Sequence, residues 1–96
     1  MNIQSFENVW DAISDTQEEA ENMKIRSQLM TIINTWVARH GLSQEEAARV
    51  LGVTQPRISE LARGKIALFS VDKLITMLAN AGMHIVNIEI SESKAA

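Results

Sequence analysis

Cysteine is absent from this 96-residue chain, which removes disulfide staples and thiolate metal sites from consideration. No apolar run approaches the roughly eighteen consecutive residues of a membrane-spanning helix. The N-terminus carries no basic stretch leading into an apolar one, as a secretory signal would. A soluble cytoplasmic protein without membrane contact is the expectation. Catalytic signatures are missing too: His40 and His84 lie far apart, and neither a glycine-rich phosphate loop nor an HExxH spacing occurs. Adjacent Glu45 and Glu46 would point in different directions on a helix and form no carboxylate dyad. The reading is therefore of a chain that is not an enzyme and needs no metal or cofactor. His40 reads as a favourable partner for a helix C-terminus.

Positive charge is scarce overall, and its distribution is uneven. The net charge is −3, which by itself argues against nucleic-acid binding. Residues 1–23 hold six acids and no Lys or Arg, −6, whereas residues 24–73 hold eight bases against four acids, +4. Residues 74–96 hold two acids and one base, −1. So small a basic excess suits a dimer on two half-sites better than a lone monomer, because neutralising phosphates supplies most of the affinity for DNA.

What is present, in the middle of that basic region, is LSQEEAARVLGVTQPRISELARGK, residues 42–65. Ser43 and Glu46 make a capping box that starts a helix. Ala47, Ala48 and Leu51 share one of its faces, and Gly52 stands where a helix end wants a residue free to take positive φ. Val53 gives the turn one apolar side chain to bury. Thr54 caps a second helix, in whose first turn Pro56 is tolerated because the N–H groups there lack intrahelical partners. Ile58 and Leu61 are its buried pair and Gly64 closes it. A turn this short leaves the two helices crossed. The second helix then presents Gln55, Pro56, Arg57, Ser59 and Glu60 outward near its N-terminal half. Arg pairs bidentately with guanine and Gln with adenine in a major groove, so these five are candidate base readers.

This stretch resembles the phage-repressor type of helix-turn-helix, the XRE family, and GVTQPRISELARGK resembles the recognition-helix region of its HigA-like antitoxin branch. The likeness covers residues 42–69 closely and the flanking helices loosely. It implies that Gln44, which begins the first motif helix, holds a phosphate, and that Gln55, Pro56, Arg57 and Glu60 read bases. Pro56 departs from the polar residue of some phage repressors, which points to an apolar contact with a thymine methyl. Arg49, Arg63 and Lys65 are further candidate phosphate contacts. Thr54 is a cap first and a phosphate contact only if the adjoining N–H groups face the backbone. Glu60 either accepts from cytosine or pairs with Arg57 or Arg63. The resemblance also implies a basic RNase toxin of the RelE/HigB type as partner.

The flanks complete the outline. Phe6, Val9, Trp10 and Ile13 follow the spacing of one helix face after a Ser5 cap. The other face is acidic, and Phe6, Val9 and Trp10 either cover the protein's own core or offer an apolar anchor to a basic protein partner. Thr16 with Glu19 starts a pattern running to His40, roughly 36 Å if unbroken, so it either breaks or projects at one end. Its apolar residues fall in two stripes, Ile25, Leu29, Ile32, Trp36 and Met23, Met30, Ile33, Val37. After the short apolar connection 66–69, Ser70 caps a helix over 71–81 with Val71, Leu74, Ile75 and Leu78 buried, and Gly82 stops it. Residues 83–90 alternate, which predicts a strand pairing with 66–69 or with another chain; Ile85, Val86, Ile88 and Ile90 are its candidate dimerisation residues. The alternative is a docked tail. Residues 91–96 read as a frayed end.

The expected fold is mainly α: a phage-repressor-like helical bundle containing a helix-turn-helix, with an acidic N-terminal helix and a short C-terminal β-strand. Its parts are an arm over 1–15, a DNA-binding domain over 16–82 and a dimerising tail over 83–96. The expected function is a homodimeric, sequence-specific repressor on an inverted-repeat operator of double-stranded DNA, its recognition helices about 34 Å apart. Within that class, the resemblance implies an antitoxin that neutralises a RelE/HigB-like toxin and autoregulates its operon. A stand-alone repressor, or a protein-interaction module with a non-functional motif, are the alternatives.

Overall fold

The structure is a computed structural model that describes residues 16–93. Among these residues it is all-helical: α1 Gln17–Arg39, α2 Gln44–Leu51, α3 Gln55–Ala62, a 3₁₀ turn Ile66–Leu68 and α4 Val71–Asn80. The expected acidic helix around Phe6 to Ile13 lies outside the described residues.

Each helix begins on a hydroxyl. Thr16, Ser43, Thr54 and Ser70 accept from the backbone N–H three residues ahead, at 3.0, 3.1, 3.4 and 3.0 Å, which satisfies one donor that the helix leaves open. The core then closes where one face of every helix meets the others. Leu29, Met30 and Ile33 of α1 join Ala47, Ala48 and Leu51 of α2, Ile58 and Leu61 of α3, Phe69, and Leu74, Met77 and Leu78 of α4. With Ala47 at 0% exposure, the small alanine faces let α2 lie close to its neighbours. Met83 docks behind α4 through its N–H to the Leu78 carbonyl, 3.0 Å, and packs on the core.

Three expectations are corrected, while the pattern over 17–40 takes the second of its two alternatives: α1 is one helix of 23 residues, and its N-terminal end runs past the core cluster. Its Ile25 and Ile32 are 39% and 49% exposed, because at about 100° per residue both lie at the rim of the face centred on Ile33. On α4, Met77 is buried and Ile75 is exposed; Ile75 sits roughly 100° from Leu74, while Met77 lies about 60° away on the other side.

The third is the C-terminal strand. No strand occurs among the described residues, and 84–93 run without regular structure. The segment nominated as its ladder partner is the 3₁₀ turn, whose N–H groups bond within their own turn: Leu68 to Lys65, 3.0 Å, and Phe69 to Ile66, 3.3 Å. A strand needs a neighbour, and within one copy of this chain the nominated neighbour is occupied.

Candidate nucleic-acid interface

Ser43 opens α2 with a complete capping box. Its hydroxyl accepts from Glu46 N–H at 3.1 Å, and its own N–H donates to Glu46 Oε1 at 2.9 Å. That backbone N–H, then the Ser43 side chain, and less strongly Arg49, hold the Glu46 carboxyl below the usual carboxylate range. The box leaves Gln44 exposed at the first position of α2, beside N–H groups that face outward at a helix start.

The turn between α2 and α3 is fixed from outside. Gly52 has φ +73, a left-handed conformation that an L side chain adopts only with strain. Val53 N–H reaches back to the Ala48 carbonyl at 3.0 Å, and the Val53 side chain packs on the core. Asn80, at the end of α4, donates its Nδ2 to the Leu51 carbonyl at 3.1 Å. A Cβ on Gly52 would stand 2.6 Å from that same Nδ2, so the glycine serves two needs at once.

Two further side chains anchor the far end of α3 and the connection beyond it. Asn34 of α1 donates to the Leu61 carbonyl at 3.0 Å. Arg26 of α1 donates Nη1 to the Ile66 and Phe69 carbonyls, 3.0 and 3.3 Å, while its Nε bonds Asn22 Oδ1 at 2.7 Å. Each clamp adds a side-chain donor from a different element to a carbonyl near a helix end; Leu61 and Ile66 also accept the backbone N–H of Gly64 and Phe69, at 3.1 and 3.3 Å. Sequence reasoning missed Arg26, Asn34 and Asn80. The available signal was Arg26 seven residues before Ile33, a polar group in line with the buried face.

The structure keeps the candidate readers on α3 accessible: Gln55, Pro56 and Arg57 are exposed, Ser59 and Glu60 half-buried. Gln44, Arg49, Thr54, Arg63 and Lys65 are exposed as well, and the Arg63 guanidinium Nε turns back to the Ser59 carbonyl at 3.4 Å. Arg57 and Glu60 form an ion pair, Nη1 to Oε1 2.8 Å, the alternative that the sequence left open for Glu60. The Arg57 guanidinium carbon also lies 5.9 Å from the centre of the Phe69 ring, within cation–π range. Phe6, Val9 and Trp10 fall outside the described residues. Ile85, Val86, Ile88 and Ile90 are all exposed, Val86 at 93%.

A helix capped by Ser43, a glycine turn and a second, exposed helix capped by Thr54 form two packed helices braced by a third and a fourth. Residues 12–91 match the family model described as a helix-turn-helix domain. The chain belongs to the helix-turn-helix domain family. Membership suggests a DNA-binding regulator; in DNA-binding helix-turn-helix proteins the second motif helix enters the major groove, and the helix in that position here is α3. No curated protein matches this helix-turn-helix domain. Among its described residues no helix is long and apolar enough to cross a membrane.

Proposed function

We propose that this helix-turn-helix domain is a homodimeric, sequence-specific transcriptional repressor of the XRE type. The observation that carries the reading is α3 itself: a well-capped helix of eight residues whose Gln55, Pro56, Ser59 and Glu60 remain free of the core. Gln55, Pro56 and Ser59 meet base edges and Glu60 braces Arg57 beside them, while Gln44, Arg49, Thr54, Arg63 and Lys65 approach the phosphates on either side. Two copies related by a two-fold axis read an inverted repeat with half-sites about 34 Å apart. The domain over 16–82 holds the DNA and the segment over 83–96 joins the copies. Ile85, Val86, Ile88 and Ile90 support that division, since a second copy supplies the ladder partner that one chain lacks.

The finer role is that of a HigA-like antitoxin. Its support is the resemblance of residues 42–69 and the acidic segment 1–15, where Phe6, Val9 and Trp10 stand beside charge complementary to a basic RelE/HigB-like toxin. The test is binding of the purified protein to the DNA upstream of its own coding sequence and to a scrambled duplex, at two salt concentrations, with Gln55→Ala alongside. Tight, salt-sensitive binding that separates the duplexes and loses that separation in the variant supports the repressor. Equal binding to both duplexes counts against it.

A second reading has one observation in its favour. Val86, Ile88 and Ile90 are 93%, 71% and 89% exposed, an apolar row that suits a protein-interaction module. Association that is insensitive to salt, without duplex preference, would favour that reading.

A further inference from the structure

The sequence puts Arg57 among the base readers, yet its partners in the folded chain draw it away from a groove. Nη1 is held by Glu60 at 2.8 Å, and the guanidinium lies over Phe69, a residue 2% exposed in the connection between α3 and α4. A bidentate guanine contact needs an extended side chain with its fork open. A contact through Nη1 would have to displace Glu60, and one that draws the guanidinium into a groove would take it off Phe69.

Arg57 instead lines an open cavity of about 600 Å³ together with Asn22 and Arg26 of α1, Phe69, and Ser70 and Lys73 at the start of α4. Three cations from three helices thus border one space. Arg26 spends Nε and Nη1 on Asn22 and the two carbonyls, which leaves Nη2 for a ligand. Arg57 likewise keeps Nε and Nη2, and Lys73 makes no ion pair among the described residues. Against them stand Glu60, already paired, and Asp72 on the first turn of α4. The balance at the cavity is positive, in a chain whose net charge is −3.

We infer that Arg57, Arg26 and Lys73 form a clamp for a backbone phosphate of the DNA duplex, and that Arg57 fixes the position of the protein on the duplex and does not read a base. The inference rests on the DNA-binding reading above. A phosphate at the cavity mouth meets the free edges of both guanidiniums without breaking the Arg57–Glu60 pair or the carbonyl clamp of Arg26. Glu60 then holds Arg57 in place, much as a preorganised fork loses less freedom on binding.

The experiment measures affinity against salt concentration for the intact chain on the upstream duplex and on a scrambled one, with Arg57→Gln and Lys73→Gln. Both side chains are exposed, and unchanged circular dichroism would show that the variants fold; Arg26 is left alone because it holds the backbone. Each variant should flatten the plot of log affinity against log salt by about one unit, equally on both duplexes, with their affinity ratio unchanged. A collapse of that ratio in Arg57→Gln at unchanged slope would make Arg57 a base reader and overturn the proposal. So would a Lys73→Gln variant that matches the parent on both duplexes. Titration with inorganic phosphate separates the source of the anion: saturation of the Lys73 and Arg57 signals, with no effect of either variant on DNA, would make the cavity a small-anion site. A parent protein that binds neither duplex would overturn the DNA reading itself.

Discussion

The turn between α2 and α3 and the segment after α4 are both short, irregular and flanked by apolar residues, yet they are finished differently. At the turn, the Leu51 carbonyl receives Asn80 and the Ala48 carbonyl receives Val53 N–H, so the backbone is satisfied and rigidly placed. Over 84–93 the chain keeps no regular structure and exposes its isoleucines. Satisfying the backbone from another element holds one segment in a single shape. The other leaves apolar side chains on the surface, where a further chain is proposed to cover them.

Removing packing beneath the turn is the strongest way to break the contrast. Leu51 is fully buried, and Leu51→Ala should cost about 2–5 kcal/mol by urea unfolding. A smaller loss would mean that the turn is less firmly seated than its hydrogen bonds imply.

The clamp itself comes next. Asn80→Ala strands the Leu51 carbonyl and should cost about 1–3 kcal/mol. Gly52→Ala forces a Cβ against Asn80 Nδ2 and keeps positive φ, with a loss of similar size. The double variant should lose less than the sum, because Asn80→Ala removes what the new Cβ meets; a coupling of about 0.5 kcal/mol or more is the expected result. Strict additivity would show that the two positions act independently.

These clamps also mark the limit of what was legible in the sequence. The caps at Ser43, Thr54 and Ser70 and the buried Ile58 and Leu61 follow from neighbours within a few residues, and each lies as expected. Arg26, Asn34 and Asn80 act across 40, 27 and 29 residues, a separation at which a polar helix residue looks like any solvated one. The sequence pattern of 83–90 predicts a strand that the structure does not form. A strand is a relation between two segments, and no pattern within one of them supplies the other. Ile75 and Met77 show the same limit on a smaller scale, since which rim of an apolar stripe is covered depends on where the neighbouring helix lies.

Loss of the capping box should have a smaller effect. Ser43→Ala should cost about 1 kcal/mol and let the Glu46 carboxyl rise toward the ordinary range, read by NMR titration. Since folding depresses that carboxyl, its contribution is present above the unfolded-chain value and is lost as pH falls through the folded one. The variant should show less of that acid-side loss. An unmoved Glu46 would mean that the Ser43 hydroxyl adds nothing to the hold of the backbone N–H, which the variant keeps.

The smallest effect on folding is expected at the other region. Val86→Asp with Ile88→Asp should change the unfolding free energy by no more than about 0.5 kcal/mol, because both side chains are already in water. The same pair should abolish dimerisation by light scattering. A variant that remains dimeric removes the C-terminal segment from the interface and returns the question to the helices.

Asn34 and Asn80 give the molecule a chemical clock. Each clamps a carbonyl with the amide N–H₂ that sets asparagine apart from aspartate, and hydrolysis of that amide would leave an acceptor-only carboxylate facing another acceptor. While the helices hold, the backbone around both residues is fixed and the amides are engaged. Each passage through the unfolded state releases them, so ageing damage should accumulate with time spent unfolded, and a chain altered at either site refolds less well than it did before.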